Sequence, residues 1–106
     1  MTKADIIAEI ADKTGISKED VTTTVEAFFT VVKNNMAEGR NIYIRGFGSF
    51  VNKRRAAKIG RNISKKVAIE IKEHYVPSFK PAKVFIEKIK SSDKVALANE
   101  AEEEMD

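Results

Sequence analysis

Seven basic side chains fall between Val51 and Lys66: Lys53, Arg54, Arg55, Lys58, Arg61, Lys65 and Lys66, with no acid among them. Ammonium and guanidinium groups at this density bind anions. A run of one sign repels itself until a polyanion neutralises it. Nucleic acid fits best, because its phosphates lie close enough together to engage many cations at once. The groups that would do covalent chemistry are absent or scattered. There is no cysteine, and the single histidine, His74, has no second His or Cys with which to hold a metal. Glu70 and Glu73 stand at odd spacing on an expected strand, so they do not face each other. Gly46 and Gly48 flank Phe47 without the pattern of a nucleotide-binding loop. No enzyme activity, cofactor or metal is expected.

The net charge of +3 conceals a strong asymmetry. Residues 1–39 hold four bases and seven acids, residues 40–90 fourteen bases and three acids, and residues 91–106 one base and six acids. The positive charge is therefore concentrated as on a binding surface. The chain is 42% hydrophobic, as folded proteins are, and its 106 residues suggest one domain. No apolar run approaches the roughly 18 residues of a membrane span, and the N-terminus lacks the apolar core of a signal peptide. Together with the absence of cysteine, this leads us to expect a cytoplasmic protein with no membrane partner.

The elements that must carry the basic run follow from periodicity. Thr2 caps a helix to Asp12, with Asp5 in capping-box position and Ile6, Ile7, Ile10 and Ala11 on one face. Gly15 ends it. Ser17 opens a second helix with a wide stripe of Val21, Val25, Phe28, Phe29, Val32 and Met36, stopped by Gly39. The period then changes to 2. Asn41–Ile44 reads as a strand and Gly46–Gly48 as a turn. A second strand from Ser49 runs into the basic stretch, and a third returns through Val67, Ile69 and Ile71. These two form a long hairpin with its tip near Asn62–Lys66, closed by Pro77. Pro81 suits the first turn of a last helix, whose buried side is Val84, Phe85, Ile86 and Ile89. The fold class is α+β: a helical-hairpin base, a three-stranded antiparallel sheet with a long β-arm spanning about 52–76, and a short C-terminal helix. Residues 1–90 form the domain, and 91–106 read as a mobile or weakly helical acidic tail.

The arm adds little to a core, and the 70–80 residues that remain make a marginal domain. Yet Phe28, Phe29, Phe47, Phe50, Phe79 and Phe85 are more apolar bulk than such a body needs. A core shared by two chains resolves this. A two-fold dimer also presents two arms to the pseudo-two-fold duplex. The phenylalanines would otherwise be free to stack on bases, but their spacing favours burial.

Three motifs in order, GFGSF (Gly46–Phe50), RRAAKIGRN (Arg54–Asn62) and VPSFKPAK (Val76–Lys83), resemble the bacterial histone-like HU and integration-host-factor family. The order of elements agrees over residues 1 to about 90. The resemblance implies an intertwined homodimer, or a heterodimer with a paralogue, whose β-arms reach around DNA in the minor groove. It implies that Arg54, Arg55, Lys58 and Arg61 contact phosphates and groove edges, with Asn62 in the tip motif and Lys3, Lys80 and Lys83 beside the saddle. Lys53, Lys65, Lys66 and Lys72 complete the expected DNA-binding set. Ile63 replaces the family's usual proline wedge, and isoleucine is among the apolar wedges that minor-groove proteins insert. Phe47, Phe50 and Phe79 resemble the shared aromatic core, which Phe29 joins. Lys65–Lys66 replaces the frequent Thr-Gly of the tip, and the acidic tail lies outside the common pattern.

The expected function is architectural: binding duplex DNA with little sequence specificity, bending and compacting it in the nucleoid, with a preference for nicked, flexible or pre-bent DNA. The alternatives are a sequence-preferring subunit like those of integration host factor, a structural RNA-binding protein, and a module whose basic arm meets acidic proteins.

Overall fold

The computed structural model describes residues 1–62 and 67–105. It divides into two compact units, Met1–Gly39 and Arg40–Asp106.

The first unit is a helical hairpin, α1 (Lys3–Thr14) and α2 (Lys18–Ala37). Thr2 and Asp5 form the expected capping box: the Thr2 hydroxyl accepts from the Asp5 amide, and the Asp5 carboxylate accepts from the Thr2 amide at 2.8 Å. That amide bond and the one from the Thr2 hydroxyl hold the Asp5 carboxyl below its ordinary range. Gly15 closes α1 in the left-handed region at φ 73°, a conformation that costs glycine least. The Ser17 hydroxyl caps α2 through the Asp20 amide at 3.2 Å. Ile7, Val21 and Met36 are the buried apolar side chains of this hairpin. The stripe on α2 is wider than α1 covers, so Phe28 and Phe29 remain 45% and 44% exposed, edge to face at 5.8 Å.

The second unit holds β1 (Ile42–Ile44), β2 (Gly48–Arg55), β3 (Lys58–Asn62), β4 (Val67–Ile71), β5 (His74–Pro81), α3 (Lys83–Lys90) and α4 (Asp93–Met105). The three-stranded sheet has the order β1-β2-β5 and is antiparallel throughout. This corrects the expected strand membership. The 67–71 strand pairs with β3 in a separate two-stranded ladder, and β5 completes the sheet. Pro77 does not close the hairpin; it lies inside β5 opposite Asn52. An edge strand accommodates it, because a missing N–H on the outer side breaks no ladder bond. Pro81 is the last residue of β5, not part of the helix, which is preceded by Ala82.

Phe50 lies opposite Phe79 with ring centroids 5.1 Å apart, and Phe47 lies 5.2 Å from Phe79 and 5.4 Å from Phe85 on α3. The Phe47 carbonyl accepts from the Ala82 amide at 2.8 Å, which ties the β1–β2 turn to the start of α3. Gly48 is required by close approach. A Cβ there would sit 2.5 Å from the Lys80 carbonyl oxygen and 2.7 Å from the Phe79 ring. Gly48→Ala is therefore expected to lower stability by about 1–3 kcal/mol, the usual cost of overpacking. The denaturant midpoint should fall with an unchanged slope; a midpoint equal to the parent's would contradict the observed β2–β5 register.

Residues 93–105, within the tail expected to be mobile or weakly helical, form α4, with the Ser92 hydroxyl accepting from the Val95 amide at 3.4 Å. No helix among the described residues is long and apolar enough to cross a membrane.

Candidate nucleic-acid interface

Alternation along β2 and β5 sorts the basic residues onto two faces. Phe50 and Phe79 define one. The opposite face carries Ser49, Val51, Lys53 and Arg55 on β2, paired in turn with Lys80, Ser78, Val76 and His74 on β5. Tyr43 of β1, opposite Ser49, extends this face. Lys53, Arg55, His74 and Lys80 are all exposed. The sheet thus presents an aromatic layer on one side and a cationic layer on the other. One side is built for apolar burial and the other for an anionic surface.

The ladder continues into the arm. Arg55 pairs with His74, and Lys58 pairs with Ile71 in the same register. Ala56, Ala57, Lys72 and Glu73 form the interruption between the two ladders. No residue is gained or lost across it, so the arm is one hairpin with a break.

Arg54 behaves differently from its neighbour. It lies on the aromatic side of β2, opposite Tyr75, and its guanidinium meets the Glu73 carboxylate at 2.8 Å. Both partners are largely exposed, and such a pair contributes about 0–1 kcal/mol. A phosphate can therefore displace Glu73 at little cost. Lys58 is exposed on β3, Lys72 is exposed in the break, and Lys83 opens α3. Arg61 and Asn62 end β3 opposite Ala68 and Val67. Ile63, Lys65 and Lys66, including the wedge position, lie outside the described residues.

Lys3 belongs to the first unit. It opens α1 and pairs with Glu26 on α2 at 3.1 Å, with both side chains about half exposed. Of the expected core residues, Phe47, Phe50 and Phe79 form one cluster, joined by Phe85, while Phe29 packs with Phe28 on α2. Among the described residues no group of three or more His, Cys, Asp or Glu side chains is placed to hold a metal ion. The residue that sequence reasoning set aside is His74. Only the β2–β5 register reveals that it stands on the cationic face.

Known proteins are similar to this chain in sequence and fold. Residues 1–90 match the family model described as bacterial DNA-binding protein. The DNA-binding protein HU of Lactococcus lactis is 42% identical over 88 residues, which are 83% of this chain and 97% of that protein. The integration host factor subunit alpha of an Anaeromyxobacter species is 37% identical over 95 residues, covering 90% of this chain and 96% of the relative. Among solved structures, Anabaena HU in a cocrystal with DNA superposes with a TM-score of 0.82 at 28% identity, over 87% of this chain and all of that one. Matched across its whole helix–sheet–arm–helix segment, the chain belongs to the bacterial DNA-binding protein family of HU and integration host factor.

Proposed function

We propose that this protein is an architectural DNA-binding protein that works as an intertwined dimer and bends duplex DNA. The observation that carries the reading is the two-sided sheet: Lys53, Arg55 and Lys80 on one face, the phenylalanine cluster on the other. The cationic face and arm neutralise phosphates, which position the protein without reading sequence. Minor-groove arms have only a degenerate code to read. Bending and unstacking cost a few kcal/mol per kinked step, offset by the extra contacts that bent DNA makes. Arg54, Lys58, Arg61, Asn62, Lys65, Lys66 and Lys72 extend the contact along each arm. Ile63 is assigned the wedge, and Lys3, Lys80 and Lys83 the flanks. Binding of this kind places the protein on the nucleoid in the cytoplasm.

The dimer rests on apolar surface. Phe28, Phe29, Phe47, Phe79, Ile86 and Ile89 each retain between 38% and 46% exposure in the single chain. A second copy with the same open faces is the partner that covers them. The match to an integration host factor subunit favours a second reading, a sequence-preferring member of a heterodimer. Footprinting on random against selected DNA separates the two.

Competition at fixed salt tests the reading. A labelled duplex should be displaced best by nicked duplex, next by intact duplex and least by structured RNA. Nicked DNA has already met part of the unstacking cost. Displacement led by RNA would replace the DNA reading with an RNA-binding one.

A further inference from the structure

We propose that the hollow at the base of the arm seats a DNA phosphodiester and that His74 contributes a proton-dependent contact to it. This deepens the DNA-binding reading and rests on it. The interruption at Ala56–Ala57 and Lys72–Glu73 leaves a concavity of about 820 Å³. Arg55, Lys58 and His74 supply its polar wall, and Ala57, Ile71 and Val76 its apolar floor. Three nitrogen-bearing side chains around one concavity, with no carboxylate lining it, form a site for an anionic oxygen cluster.

The histidine ring is held by one hydrogen bond. Its Nδ1 lies 2.9 Å from the Lys72 carbonyl oxygen. A carbonyl only accepts, so Nδ1 carries a proton and Nε2 is the nitrogen left to gain or lose one. When protonated, Nε2–H donates to a phosphate oxygen; when neutral, it offers that oxygen a lone pair and repels it. The surrounding charged groups are Arg55 directly opposite on β2, Lys53 one pair further along the same face, Lys58 across the hollow, and Lys72 and Glu73 just before it in the chain. Glu73 is engaged by Arg54, so the field at the hollow is cationic. A phosphate seated there stabilises the protonated ring. Binding is thus linked to proton uptake and is tighter on the acid side of the histidine range.

The chain's one histidine gives a single ring signal to follow by NMR. Adding a short intact duplex should move its titration midpoint upward by about half a pH unit. Duplex affinity should be about threefold greater per arm at pH 6 than at pH 8, and that ratio should fall to about one in His74→Asn. Asparagine keeps an N–H donor for the Lys72 carbonyl but does not titrate, and its thermal midpoint reports that the fold is intact. Unchanged pH dependence in a folded His74→Asn, or an unmoved midpoint in a protein that binds duplex, overturns the proposal. A midpoint moved equally by inorganic phosphate assigns the hollow to free anions and overturns the DNA assignment. Failure of the parent protein to bind duplex at either pH overturns the underlying reading, and this assignment with it.

Discussion

Phe50→Ala should leave the chain unfolded at low micromolar concentration, with no folded monomer in solution. Phe50 belongs to the aromatic cluster on the sheet, paired across the ladder with Phe79 and 6.5 Å from Phe47. Truncating a buried phenylalanine costs about 3–5 kcal/mol, from lost transfer energy and the cavity left behind. A small domain has little more than that in total, about 5–15 kcal/mol. In an intertwined dimer each chain carries the loss, and folding is linked to association by mass action. The parent should therefore melt at a temperature that rises with protein concentration. Circular dichroism with sedimentation checks both statements. A Phe50→Ala protein that sediments as a folded monomer would contradict the shared core.

The helical hairpin was legible because its signals are local. Thr2–Asp5 and Ser17–Asp20 lie three residues apart, and both serve as caps. The clustering of Phe47, Phe50 and Phe79 was equally open to reading, since their spacing favours packing together over stacking on bases. The sheet was less so. Val67, Ile69 and Ile71 alternate cleanly, whereas β5 carries Pro77 in its interior and reads as a terminator. What rescues β5 is its edge position, which depends on strand order and so on long-range pairing. The sidedness of the basic run was hidden for the same reason. Arg54 and Arg55 are neighbours in sequence, yet one meets Glu73 on the aromatic side and the other faces His74 on the cationic side. His74 had no local signal at all; its meaning comes from the residue opposite. The family resemblance supplied the arm and saddle, which composition and periodicity suggest only in part.

The second large effect is the loss of DNA affinity with salt. A dimer contacting about 6–10 phosphates should bind about 10³–10⁵-fold more weakly at 200 mM than at 50 mM salt, because each neutralised phosphate releases condensed counterions. Arg55 stands on the cationic face and Arg61 is the second-last residue of β3, so they sample the base and the outer part of the arm. Replacing both by alanine removes two cations per chain. The double variant should bind all sequences more weakly to a similar degree, because phosphate contacts carry no sequence information.

The slope of log affinity against log salt tests the account most directly. We expect a slope corresponding to about 6–10 contacts for the parent, shallower by up to about four contacts in the Arg55→Ala, Arg61→Ala dimer. A slope near zero in the parent, or one that the double substitution leaves unchanged, would contradict binding through this cationic face.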